Sequence, residues 1–549
     1  MKLFCYDIDE RYQTSVAYFS MEFAIDQALK VYSGGLGFLA GSHMRSAYDL
    51  KQNVVGVGLL WSFGYYDQTR NEDRTLKPSY TRKFYYFLEE LDVHVTVKIP
   101  NEDVRVKAFL LRPEVFGTAP MIFLSTDTDE NDYLARTITH KLYDGNERTR
   151  VAQEIVLGIG GTRVLEAINR KVDVYHMNEG HALPLVYELY GKHYQDMIEL
   201  RKHVVFTTHT PEAAGNEVHN IYFLHEMGFF GEHSLDAARH ITGYLEEDAD
   251  FSLTVGALRS AKIANAVSKI HGVVANEMWN DIEHRCDIIS ITNAQNKKYW
   301  TDKTLVRALD EHEDYELLAR KKHLKKILFE TVADQTGKMF DPEVLTIVWA
   351  RRFAEYKRPG LLKYDMERFV KLIKNTKMPV QIIWAGKPYP TDFGAIDIFN
   401  ELIHISHYYK NIAVLTGYEL TLSKLLKQGS DIWLNTPRIT REASGTSGMT
   451  ASMNGSIHFS IDDGWHPEFA RDGKNAFTIP PLDHTLPTAE QDRLDNQHMM
   501  DILEEEILPL YSDKRVKWVE IMKNAMSDVE NDFDSGRMSV EYYERMFNL

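Results

Sequence analysis

"LTIVWARRFAEYKRPGLLKYDMERFVKLIKNTKMPVQIIWAG", residues 345–386, decides the fold class. It opens on a short apolar run, LTIVWA, passes through a cationic loop and an amphipathic stretch, and closes on VQIIWAG. Two such runs around a helix-length segment read as parallel strands, buried on both faces, joined by a crossover helix. IAVLTG (412–417) and DIWLNT (431–436) continue the pattern, and SVAYFSM, VVGVGLL, DVYHMN and HVVFTTH repeat it in the first half. The class is therefore α/β and doubly wound, and such sheets place ligands beyond the carboxyl ends of their strands. The polar stretch ITNAQNKKYWTDK, following the apolar DIISI, puts a domain boundary near residue 293. The expected domains are 1–292 and 293–515, with a charged helical segment, 516–549, folding back on the first.

Composition narrows the function. A chain of 549 residues with 44% hydrophobic and 26% charged content is that of a soluble globular protein of two or more domains. No apolar run approaches the roughly 18 residues of a membrane span. The start, MKLFCYDIDERYQ, lacks the basic and apolar segments of a signal peptide, and Cys5 and Cys286 are its only cysteines. Both features point to the cytoplasm. A formal charge of −17 disfavours general nucleic-acid binding, yet it leaves room for a small anionic substrate held by local cations.

Four segments carry candidate chemistry. In YSGGLGFLAGSHMRSAYDL (32–50), Gly34, Gly35 and Gly37 precede a helix, so backbone N–H groups could meet a phosphate there; the plainer reading is a tight turn. WARRFAEYKRP (349–359) follows a strand and holds Arg351, Arg352, Lys357 and Arg358, where Arg352 and Lys357 could clamp one phosphoryl group. A solvated charge run is the alternative. YHMNEGHA (175–182) and FTTHTPEAAG (206–215) each present a histidine after a strand. His181 and His209 lack metal-motif spacing and are read as sugar-hydroxyl contacts, with no metal expected. In TPRITREASGTSGMTASMNG, residues Ser444 to Gly448 offer hydroxyls and backbone N–H groups at a helix start, beside Glu442.

Together these segments resemble the α-glucan phosphorylases, the glycogen, starch and maltodextrin phosphorylase family, in its short form. YSGGLG, NEGHA, TTHTP, ITN, RRFAEYKRP, NTPR and EASGTSGM occur in the family's order, from about residue 16 to 469. The resemblance implies a GT-B glycosyltransferase of two Rossmann-like domains facing an interdomain cleft. It implies retaining glucosyl transfer at the non-reducing end of an α-1,4-glucan. Gly35, Arg352 and Lys357 then look like binders of the substrate phosphate, and His209, Asn293, Glu442, Ser444 and Gly445 like glucose contacts, with His181 nearby. Arg352, Lys357, His209 and Glu442 would form the catalytic set. Tyr18, Trp300 and Thr446 match positions around pyridoxal phosphate, and Arg351 stands where the family has a lysine for that cofactor's phosphate. About fifteen residues precede the match, so the regulatory segment of long phosphorylases is expected to be absent. Family members are often dimers.

Thr450 breaks the pattern. It occupies the position of the lysine that holds pyridoxal phosphate as a Schiff base, and a hydroxyl cannot form an imine. No lysine occurs between Lys427 and Lys474 to substitute locally. Covalent pyridoxal phosphate is therefore not expected, although non-covalent binding is open. Two adjacent phosphate seats resemble the diphosphate site of a sugar nucleotide. The leading expectation is a glucosyltransferase with a nucleotide-sugar donor, one seat near Arg352 and Lys357 and the other near Arg351 and Thr446. The rivals are a phosphorylase releasing glucose 1-phosphate, and a non-catalytic glucan-binding protein. A nucleotide-dependent dehydrogenase is disfavoured, because no G-x-G-x-x-G stands at a strand-to-helix turn.

Overall fold

The structure is a computed structural model that describes residues 1–100, 102–212 and 215–548. It divides into two compact units. The first comprises Met1–Tyr66, Tyr80–Asn293 and Ser535–Leu549, and the second Asp67–Ser79 and Ala294–Asp534.

The first unit is built on nine strands: β1 (Val16–Phe19), β2 (Val54–Leu59), β3 (Glu89–Lys98), β4 (Asp103–Leu111), β5 (Met121–Ser125), β6 (Val174–Asn178), β7 (Val204–Thr207), β8 (Ile263–Ala266) and β9 (Asp287–Ser290). Their order is β9-β8-β7-β6-β1-β2-β5-β4-β3. From β9 to β5 neighbours run parallel, while β4 lies antiparallel to both β5 and β3. The central strands are buried throughout, as a sheet covered on both faces requires. On β4 burial instead alternates along much of the strand, the mark of one wet face. Helix α1 (Gly35–Asp49) packs very close: a Cβ at Gly41 would stand 2.1 Å from the Ala24 carbonyl oxygen, so only glycine fits. The terminal helix Ser535–Tyr542 also belongs here, with Ser535 Oγ 2.6 Å from Ser46 Oγ and Ser539 Oγ 2.8 Å from His43 Nδ1.

The second unit holds six strands, all parallel: β10 (Leu345–Ala350), β11 (Val380–Ala385), β12 (Ile412–Leu415), β13 (Ile432–Asn435), β14 (Ile457–Ile461) and β15 (Ala476–Ile479). The order β12-β11-β10-β13-β14-β15 reverses direction between β10 and β13, the switch point of a doubly wound sheet. Side chains alternate between two cores. Leu345, Ile347 and Trp349 enter one with Ile382 and Trp384; Val348 and Ala350 enter the other with Ile383 and Trp433. Helix α2 (Asp314–Thr336) seals the second core through Leu328, Phe329 and Val332.

Two chain segments divide differently from the sequence-based expectation. The helix Arg515–Asp532 stays with the second unit, because Trp518 and Ile521 enter its core, and only Ser535 onward joins the first. The hairpin of Asp67–Arg70 and Leu76–Ser79 also belongs to the second unit. Gln68 Nε2 donates to the Gly386 carbonyl at 2.8 Å, and Gln68 Oε1 accepts from the Gly417 and Tyr418 N–H groups. Among the described residues, no helix is long and apolar enough to cross a membrane.

Candidate active site

At the carboxyl end of β10 the chain runs directly into Arg351 and Arg352. Arg351 turns inward and is 7% exposed, whereas Arg352 is exposed, with Nη2 3.5 Å from Tyr356 Oη. Lys357 ends a short 3-10 turn, Glu355–Lys357, and is buried as well. Both buried cations meet one carboxylate. Glu442 accepts from Lys357 Nζ at 2.6 and 2.7 Å and from Arg351 Nη1 at 2.8 Å. Burial alone would raise the Glu442 pKa, but Lys357 and Arg351 outweigh it and pull it down to about 2. The triad carries one surplus positive charge at the switch point. The fourth cation, Arg358, is structural: it binds the Thr436 and Pro437 carbonyls and the carboxylates of Asp492 and Asp495.

Glu442 is placed by the loop around it. Its N–H donates to Asp463 Oδ2 at 2.9 Å, and burial pushes the Asp463 carboxyl up to about 7. Gly445 (φ 87°) turns the chain into α4 (Thr446–Ser452), so the helix starts beside the triad. Gly464 (φ 63°) packs where any Cβ would stand 2.5 Å from the Ser444 carbonyl oxygen. Ser447 Oγ, on the first turn of α4, lies 3.4 Å from Arg351 Nη2, and Thr446 is half-buried next to it. Ser444 Oγ is buried and has no hydrogen-bond partner among the described residues, an acceptor and donor left over for a ligand hydroxyl.

The first unit gathers the histidines. His209 Nε2 lies 2.7 Å from Asn178 Oδ1, and its backbone N–H donates to Glu179 Oε1 at 2.5 Å. Glu179 itself sits at φ 70°, a left-handed conformation unusual for a residue with a side chain and common where function dictates geometry. Burial lifts its carboxyl to about 7 and depresses His209 to about 3 and His181 to about 4, so both imidazoles are neutral. His181 Nε2 is 3.4 Å from Arg150 Nη2. Asn293 Oδ1 is buried without a partner among the described residues. Gly35 is exposed at the start of α1, but the N–H groups of Ser33 and Gly34 donate to the Glu22 carboxylate at 2.6 and 3.0 Å. Part of the glycine-rich cradle is thus filled by the protein itself. Ala213 and Ala214, in the His209 segment, lie outside the described residues.

Among the described residues, neither His181 nor His209 joins a metal-like cluster. Among the described residues one such group exists, Glu154, Glu217 and His219, and Arg150 ion-pairs with Glu217 within it.

The residues proposed around pyridoxal phosphate are shared between the two units. Tyr18 is 1% exposed in the core of the first unit, edge-on to His43 and His176 at 4.9 and 4.8 Å. In the second unit Thr450 is fully buried and its hydroxyl donates to the Ser447 carbonyl at 3.0 Å, so α4 presents no amine. Trp300 is buried too, and an amine stands against it: Lys427 Nζ lies 3.8 Å from the centre of its ring. Lys427 belongs to helix α3 (Leu420–Gly429), where the sequence pattern reads as an ordinary amphipathic helix. Lys427, Trp300 and Thr450 are each no more than 1% exposed, so these residues do not fit a phosphorylated pyridine ring, and α4 offers no amine to tether one.

A family profile described as carbohydrate phosphorylase matches residues 286–481. An uncharacterised protein of Methanocaldococcus jannaschii is 49% identical over 97% of this chain and 99% of its own. The maltodextrin phosphorylase of Thermococcus litoralis is 30% identical over 98% of this chain and 71% of its own length. The glycogen phosphorylase of Aquifex aeolicus is 30% identical over 98% of this chain and 87% of its own. With that identity across nearly its whole length, and with the cationic loop and the EASGTSGM turn joined at Glu442, the chain belongs to the carbohydrate phosphorylase family.

Proposed function

We propose that this protein is a retaining glucosyltransferase that phosphorolyses α-1,4-glucans, exchanging glucosyl units between the non-reducing end of the glucan and orthophosphate. The supporting observation is the triad: two buried cations share one carboxylate at the switch point, with Arg352 exposed beside them. An arriving phosphate adds to a centre with surplus positive charge. Arg351 and Lys357 converge on one point rather than on two separate seats, which suits one phosphate better than a diphosphate. The relatives named as phosphorylases agree with this choice.

In this reading Lys357 and Arg352 stabilise charge on the phosphoryl oxygen as the bond to the anomeric carbon forms or breaks. Glu442, held ionised, orients Lys357 and Arg351 and accepts a hydroxyl of the sugar. In the second unit Ser444 Oγ satisfies a further sugar hydroxyl; in the first, neutral His209 gives its Nε2–H to Asn178 Oδ1 and keeps Nδ1 as an acceptor, and Asn293 Oδ1 is a second acceptor. The transferred glucosyl passes through an oxocarbenium-like state, and attack on the face the phosphate leaves retains configuration. The buried residues around Thr450 do not fit pyridoxal phosphate, and no step of this reading runs through it.

A second reading rests on Thr450: lacking an amine at that position, α4 could border the second phosphate of a sugar nucleotide. One assay series decides between them. Glycogen or maltodextrin is incubated with orthophosphate, glucose 1-phosphate, or UDP-, ADP- or GDP-glucose. Phosphate-dependent release of glucose 1-phosphate is expected. Turnover of a sugar nucleotide without phosphorolysis would establish the second reading, and glucan binding with no turnover of any donor would leave a binding protein.

A further inference from the structure

We propose that Glu154, Glu217 and His219 form a binding site for one divalent transition-metal ion, Zn²⁺ by its donor set, which staples the helix Glu147–Ile155 to the strand Val218–Asn220. The inference stands apart from the phosphorylase reading, and all of its residues belong to the first unit. Glu147 and Glu154 lie two helical turns apart and therefore share one face. Glu217, just before the strand, and His219, within it, have the alternate spacing that puts two side chains on one side. The two faces meet. His219 Nδ1 stands 2.8 Å from Glu147 Oε1, and one ligand atom from each of Glu154, Glu217 and His219 lies within 4.8 Å of the others. A tetrahedral zinc bonded at about 2.1 Å holds its ligand atoms about 3.4 Å apart, inside that spread.

The atoms left over point to a ligand. Glu154 is fully buried, and neither of its carboxylate oxygens has a hydrogen-bond partner among the described residues; the buried atoms Glu217 Oε2 and His219 Nε2 have none either. Bare polar atoms inside a protein are costly, and native structures satisfy them. The histidine is already oriented for a metal. Glu147, an acceptor, holds the proton on Nδ1 and leaves the Nε2 lone pair 3.9 Å from Glu217 Oε2. Arg150 does not close the gap. It donates to Glu217 Oε1 and its Nε stands 3.9 Å from Glu154 Oε1, so one positive charge faces two carboxylates. A proton shared between Glu154 and Glu217 would satisfy two of the four atoms and strand the other Glu154 oxygen and His219 Nε2. One dication engages all three side chains and leaves Glu217 Oε1 to Arg150, whose Nη2 lies 3.4 Å from His181 Nε2. Imidazole nitrogen beside carboxylate oxygen suits zinc, whereas Mg²⁺ and Ca²⁺ take oxygen ligands.

The test uses the full chain, stripped with a chelator and dialysed. Samples are incubated separately with Zn²⁺, Mn²⁺, Mg²⁺ or Ca²⁺, dialysed again, and analysed for metal by inductively coupled plasma mass spectrometry. One retained equivalent of Zn²⁺ per chain is expected, and it should be lost in Glu154→Gln and in His219→Ala. Glu147→Gln should weaken zinc affinity about 10–100-fold, because the imidazole loses its orienting carboxylate. No retained zinc in the wild-type chain, or an equivalent that persists in both Glu154→Gln and His219→Ala, would overturn the inference. Retention of Mg²⁺ or Ca²⁺ in place of zinc would overturn the assigned ion. Should the variants fail to fold by circular dichroism, hydrogen exchange in the wild-type chain decides alone. Zn²⁺ should slow exchange in Glu147–Ile155 and Val218–Asn220, and unchanged exchange in both would count against the site.

Discussion

Glu442 is the residue on which the site turns. Replacing it with glutamine leaves Arg351 and Lys357 buried without their shared anion, and breaking a buried ion pair costs about 3–5 kcal/mol. Glu442→Gln is expected to lower the unfolding free energy read from denaturant melts by that amount while retaining the fold. The pH dependence has a definite sign. The folded pKa of about 2 lies below the ordinary 4.5, so the triad's contribution is present above pH 4.5 and is lost as pH falls toward 2. Acid titrations of wild type and variant should therefore converge in that window; parallel curves would refute the linkage. Arg352 offers the opposite separation. It is exposed, so Arg352→Ala should move stability by no more than about 0.5 kcal/mol. Turnover should fall at least about 100-fold, or ~2.7 kcal/mol of transition-state stabilisation. Near-normal turnover would remove Arg352 from the chemistry.

At the scale of elements, the cationic loop is positioned by the strand beside it. Gly386 follows β11 at φ 149°, and a Cβ there would stand 1.8 Å from the Arg351 carbonyl oxygen. Gly386→Ala must push the end of β10 away, so activity should collapse even where circular dichroism shows the sheets intact; a fully active variant would show that the loop tolerates displacement. The parallel strands were legible in sequence because burial on both faces writes continuous apolar runs, as in LTIVWA and VQIIWA. The antiparallel strands β3 and β4 were not, since many of their side chains face water and EELDVHVTVK reads as polar. The site shows the same divide. Arg351, Lys357 and Glu442 stood out as charges beside strand ends, although their convergence on a single carboxylate is a tertiary fact. Lys427 was invisible, because a lysine in an amphipathic helix is ordinarily solvated. Only the packing of α3 against Trp300 and α4 reveals its burial. Arg358 misled in the other direction, its charge consumed by Asp492 and Asp495.

At the scale of the molecule, the last fifteen residues matter out of proportion to their number. Met538, Tyr542, Tyr543, Met546 and Phe547 are all buried in the described structure. Each such side chain contributes about 1.5–3 kcal/mol on burial. Together they rival the whole stability of a typical domain, about 5–15 kcal/mol. A chain ending at Asp534 is therefore expected to lose the cooperative melting of the first unit while the second still melts as a unit, as calorimetry with hydrogen exchange would resolve. Unchanged melting of both would show that the terminal helix is dispensable. The same feature sets an order of events during synthesis. Domains ordinarily fold from the N-terminus as the polypeptide emerges, yet here the first unit lacks its closing segment until residues beyond Asp534 have been made. The second unit has all its parts once Asp534 clears the ribosome, so the half made later is the half that can finish first.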